Sequence, residues 1–209
     1  MANQQKKRTR IIASGLVVVV ALIFAIVVAV GGGGDSGTTL AAGEYQAVSS
    51  SGTALVPLED PDNDPARGVV APQLTGSRFD GSGITVAPTG NPTLVVFLAH
   101  WCPHCNAEIP RLIEWKESGK MPANLQVVGV STGARNDQPN WPPSQWLVEK
   151  KWPWDAMADS EDQLAAVALG VSGYPGLVLL DGDGKVLARR SGEASINELD
   201  AWAAEFLAL

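Results

Sequence analysis

The chain predicts an α/β fold, a mixed sheet with helices on both faces, preceded by one N-terminal transmembrane helix. Three observations carry that expectation. Residues 11–30 form an uncharged run dominated by Val, Ile, Ala and Leu, which at about 1.5 Å rise per residue matches a hydrocarbon core of about 30 Å. From Gly68 to Leu209 strand-like and helix-like patterns alternate. Thr93 to Ala99 (TLVVFLA), the pattern of a strand buried on both faces, runs directly into a helix that begins at Pro103.

Lys6, Lys7, Arg8 and Arg10 precede the apolar run, and the first charge after it is Asp35. The positive-inside rule therefore places a basic tail, residues 1–10, in the cytoplasm and everything from Gly31 outside the cell membrane. A cleaved secretory signal has similar ingredients, but its apolar core is usually ~7–15 residues long. No clean small-x-small site follows at Val28-Ala29-Val30 or Leu40-Ala41-Ala42, so residues 11–30 read as a single-pass anchor. Residues 31–65 are rich in Gly, Ser, Thr, Asp and Pro without sustained periodicity, the composition of a flexible linker, which leaves 66–209 as the folded domain.

Within that domain an extended region (Gly68 to Val86) leads to the strand at 93–99, a helix at 103–118 and a second strand at 125–131. A Trp/Pro-rich segment follows, with Trp141, Trp146, Trp152 and Trp154 among four prolines. It carries a helix near Pro143 to Lys151 and a short strand at 154–157. Most of those rings are expected to cover the core of the insertion, with one or two free to form a partner ledge. A helix at 161–169, two strands at 177–180 and 185–190 joined by Asp181-Gly182-Asp183-Gly184, and a closing helix to Leu207 complete the chain. Ser195 with Glu198 three residues on gives that last helix a capping box. Neither acidic cluster is a calcium loop. In Asp60-x-Asp62-x-Asp64, Pro65 and Ala71 replace the required glycine and glutamate, and Lys185 follows the second cluster at a ligand position.

The only two cysteines lie in Trp101-Cys102-Pro103-His104-Cys105, at the strand-to-helix turn. Unpaired N–H groups and the dipole at a helix N-terminus favour a thiolate, the attacking species in disulfide exchange. With no third cysteine, the two can pair only with each other or with a substrate. Zinc is the alternative use of such a pair, but His100, Cys102, His104 and Cys105 crowd into six residues, whereas tetrahedral sites join separated ligand pairs. Beyond the basic tail, the 22 acidic residues outnumber the basic ones two to one, a poor surface for nucleic acid.

Four features together resemble the thioredoxin superfamily, and within it the membrane-anchored, extracytoplasmic TlpA/ResA/DsbE-like group. They are Ala71-Pro72, Trp101-Cys102-x-x-Cys105, Pro110 in the following helix, and Gly173-Tyr174-Pro175 before the hairpin. The resemblance covers about 140 residues, one domain's worth. It implies thiol-disulfide exchange with Cys102 and Cys105 catalytic, no cofactor beyond their redox-active disulfide, and no metal. It also implies a cis peptide at Tyr174–Pro175, facing the dithiol and pairing with extended substrate. The expected partners are thiols or disulfides of exported proteins and a membrane redox partner.

Pro103-His104 resembles the dipeptide of DsbA-type oxidants. An imidazole beside Cys102 stabilises the reduced thiolate and makes the disulfide more oxidising, so the motif leans toward oxidation. Trp101 is expected on the rim of the site, and His100 either near Cys102 or in a surface or packing role. The alternative within the class is a reductant for cytochrome c maturation or other apoproteins; outside it, a metallochaperone or a non-catalytic binding module. Two departures from the family stand out. Val96 occupies the place of a buried carboxylate that many thioredoxin-like proteins use to move the second cysteine's proton, and Gly176 replaces a common threonine. Glu108 is a candidate substitute for the carboxylate, although a solvated helix-face glutamate is the simpler expectation.

Overall fold

The computed structural model describes residues 43–207. The expected basic tail and membrane span lie outside them, and among the described residues no helix is long and apolar enough to cross a membrane. The strands are β1 (Ser49–Ser51), β2 (Gln73–Ser77), β3 (Gly83–Val86), β4 (Thr93–Leu98), β5 (Gln126–Ser131), β6 (Asp155–Ala158), β7 (Gly176–Leu180) and β8 (Val186–Ser191). The helices are α1 (Pro103–Glu117), α2 (Pro143–Glu149), α3 (Leu164–Ala168) and α4 (Ile196–Leu207).

One mixed sheet results, in the order β1-β2-β6-β5-β4-β7-β8, with β3 paired to β2. β4, β5 and β6 run parallel, while β7 is antiparallel to β4 and β8 to β7. The alternation of β4 divides the core. Leu94, Val96 and Leu98 pack with Ile109, Leu112 and Trp115 of α1 and with Leu199 and Ala203 of α4. Val95 and Phe97 pack with Ala165, Ala166 and Ala168 of α3 on the opposite face. Every residue of β4 is buried, which is why its sequence shows no polar alternation.

The connections form as their residue types require. In the β7–β8 turn, Asp181 Oδ1 accepts from the N–H groups of Asp183 and Lys185, and Gly184 takes φ +81°, open to glycine at no steric cost. Ser195 and Glu198 make both bonds of the capping box. Three of the four insertion tryptophans are buried or half-buried, and Trp152 lies against Gly129 of β5, where no side chain would fit.

The linker expectation fails for residues 43–65. Leu55 and Leu58 are buried, and their N–H groups bond to Ala168 and Gly170 carbonyls. Gly170 leaves no room for a Cβ against the Val56 carbonyl. Asp64 is fully buried and accepts from Arg189 Nε at 2.8 Å and Nη2 at 2.5 Å, while Arg189 Nη1 binds the carbonyls of Val56 and Leu169. Burial alone would push the Asp64 carboxyl up; Arg189 and the Ala66 N–H outweigh it and hold it below its ordinary value. A few long-range contacts thus anchor a segment whose composition reads as tether.

Candidate active site

Cys102 is the N-cap of α1 and Pro103 opens its first turn, where a missing N–H costs nothing. Both cysteines are free thiols in this structure. Cys102 is only slightly the more exposed of the two, keeping 5% of its surface where Cys105 keeps none. Cys102 Sγ donates to the Tyr174 carbonyl at 3.6 Å, and the Tyr174–Pro175 peptide is cis. Trp101 Nε1 donates to Gly133 O at 2.7 Å, and its ring meets Tyr174 edge to face at 6.3 Å. The Tyr174 carbonyl thus meets the first sulfur, and the neighbouring Trp101 ring is held by Gly133 and Tyr174.

Behind Tyr174, the departure at Gly176 has a packing cause. A Cβ there would stand 2.6 Å from Val171 Cγ1 and 3.1 Å from the Gly173 carbonyl. The Tyr174 hydroxyl donates to Gln163 Oε1 at 2.7 Å, which fixes the ring from its far end.

The second sulfur faces charge. Cys105 Sγ accepts from the Ala99 N–H at 3.4 Å, and burial pushes its thiol far up, with smaller upward contributions from Cys102 and Glu108. Glu108 is fully buried, not solvated as expected. Its Oε2 accepts from the Ala194 N–H at 3.0 Å and from Arg111 at 3.4 Å, and its Oε1 has no partner among the described residues. Burial raises the Glu108 carboxyl above its usual range, opposed by the Ala194 N–H and Arg111. The spacing held the signal for this: Cys105, Glu108, Ile109 and Leu112 form one stripe at helical period, so a core-facing side at Cys105 takes Glu108 with it.

His104 is two-thirds exposed, and its Nδ1 bonds Glu193 Oε1 at 2.6 Å. Glu193 Oε2 in turn pairs with Arg111 Nη1. The bonds to His104 first, and to Arg111 second, hold the Glu193 carboxyl below its ordinary value. Glu193 and Arg111 left no mark in the sequence, since neither belongs to a motif.

His100 is buried with both ring nitrogens in use. Nδ1 bonds Pro139 O at 2.7 Å and Nε2 accepts from the Arg135 N–H at 3.0 Å, which assigns the neutral tautomer with hydrogen on Nδ1. Burial lowers its pKa to match. The His100 carbonyl accepts from Asn106 and Asn140, and Trp146 Nε1 donates to Asn106 Oδ1 at 3.0 Å. The inserted segment is thereby bolted to the cysteine turn, with Trp141 left partly exposed against His100 and Tyr45.

The chain's relatives share this arrangement's chemistry. A model of the AhpC/TSA family matches residues 67–189. The thiol:disulfide interchange protein DsbE homolog of Paracoccus denitrificans is 33% identical over 147 residues, 68% of this chain and 76% of that one. The thiol:disulfide interchange protein HelX of Rhodobacter capsulatus is 30% identical over 103 residues, which span about half of each chain, 49% and 53%. Among solved structures, the thioredoxin domain of a thiol-disulfide oxidoreductase from Bacteroides vulgatus superposes with a TM-score of 0.54 at 26% identity, covering 68% of this chain and 97% of that one. With its thioredoxin-like sheet and paired thiols at the start of α1, the chain belongs to the AhpC/TSA family and, within it, to the thiol-disulfide oxidoreductases of the DsbE and HelX type.

Proposed function

We propose that this protein works as an extracytoplasmic reductant of disulfides in exported apoproteins, apocytochromes c among them, held at the membrane by residues 11–30. The oxidising direction suggested by Pro103-His104 has less support. The observation that carries the reductive reading is the buried carboxylate of Glu108 on the same helix face as a fully buried Cys105. Burial and a neighbouring negative charge both disfavour an anionic, reduced dithiol, and so make the enzyme a readier donor of electrons. His104, on which the oxidising reading rests, bonds Glu193 through Nδ1, which places a carboxylate beside the imidazole. The kinship with DsbE and HelX points the same way.

In this reading Cys102 Sγ attacks a substrate disulfide held against the Tyr174 backbone. A Cys102–substrate bond forms, the substrate S–S bond breaks, and the departing sulfur takes up a proton. Glu108 then accepts the Cys105 proton. The Cys105 thiolate attacks Cys102 Sγ and expels the second substrate thiol, leaving the substrate reduced by two electrons and the enzyme as a disulfide. The raised carboxyl of Glu108 narrows its gap to the raised thiol, which makes the transfer less uphill.

Equilibration with glutathione tests the direction. A potential near that of thioredoxin, about −270 mV, is expected, and one near that of DsbA, about −120 mV, would restore the oxidant. For the tether, the full-length protein should fractionate with membranes at full mass, and a reporter active only outside the cytoplasm should work when fused after Leu209. A soluble form lacking residues 1–30 would show a cleaved signal.

A further inference from the structure

We propose that His104 acts on the buried end of the dithiol through Glu193 and Arg111, two positioning residues that set the charge balance around Glu108. The connection is continuous. His104 Nδ1 bonds Glu193 Oε1, Glu193 Oε2 pairs with Arg111 Nη1, and that same Nη1 reaches Glu108 Oε2 at 3.4 Å.

One guanidinium atom is shared by two carboxylates, and the two contacts are unequal. Glu193 holds Arg111 closely while Glu108 receives only its long contact, so whatever strengthens the hold of Glu193 weakens the support of Glu108. A charged imidazole compensates Glu193 and leaves Arg111 to Glu108. A neutral or absent one returns Arg111 to Glu193 and leaves Glu108 with the Ala194 N–H and an Oε1 that has no partner among the described residues. The other groups that face Glu108 are Arg190 of β8 and the Cys105 thiol. Arg190 is itself tied, its Nη2 donating to the Glu193 carbonyl at 3.2 Å. The inference rests on Glu108 serving Cys105, and it gives the dipeptide histidine a role that does not depend on contact with Cys102.

The test follows the Glu108 carboxyl carbon by NMR across a pH titration of the reduced full-length protein labelled at glutamate, assigned by loss of the signal in Glu108→Gln. His104→Ala should move the Glu108 midpoint up and Glu193→Gln should move it down. In a Glu193→Gln or Arg111→Met background, His104→Ala should have no further effect. An unmoved midpoint in His104→Ala overturns the proposal, as does a shift that persists when Glu193 is gone. Resolution of a Cys102 mixed disulfide, followed on the same variants, separates the two readings. Rates that track the midpoint support both, whereas a midpoint that moves without the rate leaves the charge network standing and removes Glu108 as the base.

Discussion

The two sulfurs of the motif, three residues apart, sit in opposite kinds of surroundings. Around Cys102 the groups are neutral: the Tyr174 carbonyl, the Trp101 and Tyr174 rings, and the Gly133 carbonyl that holds Trp101. Around Cys105 a chain of ionisable groups runs from buried Glu108 through Arg111 and Glu193 to exposed His104. Shape and backbone polarity therefore dominate around the first sulfur, and charge around the fully buried second. A disulfide enzyme needs both, because attack depends on access and resolution depends on removing a proton from a buried thiol.

Exchanging the sulfurs for hydroxyls breaks this comparison most completely. Cys102→Ser should abolish exchange, whereas Cys105→Ser should retain attack and accumulate mixed disulfides on Cys102, seen as higher-mass species on non-reducing gels. Trapping in the Cys102 variant instead would reverse the roles.

The next largest effect belongs to the charged side. Glu108→Gln should slow resolution by roughly 10²-fold or more, the lower range of general acid–base contributions. In the wild-type protein that step should accelerate as pH rises through the Glu108 value, which lies above the usual carboxylate range of about 4.3, and the variant should lose this limb. Stability should show the opposite sign. A carboxyl raised by folding supports the fold fully below the unfolded value, and that support is lost as pH rises through the folded one. Chemical denaturation should show Glu108→Gln spared this decline.

Much of this was legible in the sequence, and the failures share a cause. β4, α1, the β7–β8 hairpin and α4 announce themselves because their signals are local: a run of apolar residues, Pro103 at a helix start, an Asp-Gly turn, a Ser195/Glu198 cap. Residues 43–65 do not, because Asp64 gains its meaning from Arg189, 125 positions away. In the same way Glu44 accepts from the Ser144 N–H and hydroxyl, capping a helix 100 positions along the chain. Glu108 lies between these cases. Its face was readable from Cys105 and Leu112, but the partners that make a buried carboxylate tolerable, the Ala194 N–H and Arg111, were not.

The neutral side answers to packing. Gly176→Thr would drive a Cβ into Val171 and the Gly173 carbonyl, at a cost of about 1–3 kcal/mol for an overpacked core position. The displaced strand end carries Pro175 and Tyr174, so attack at Cys102 should slow as well, with resolution of a preformed mixed disulfide unchanged. Stopped-flow measurement of the two steps separates them. A variant that slowed only resolution would show that the two surroundings are not independent.

His104→Ala should have the smallest effect on the potential, and its size matters more than its sign. An imidazole standing free beside Cys102 would stabilise the reduced form directly, and its loss would lower the potential by several tens of millivolts. Here the ring is two-thirds exposed and bonded to Glu193, so solvent and a carboxylate both screen it. The expected fall, read against glutathione, is roughly 20 mV or less. A larger fall would return control of the potential to the dipeptide and to the Cys102 side; a small one leaves it with the buried carboxylate beneath Cys105.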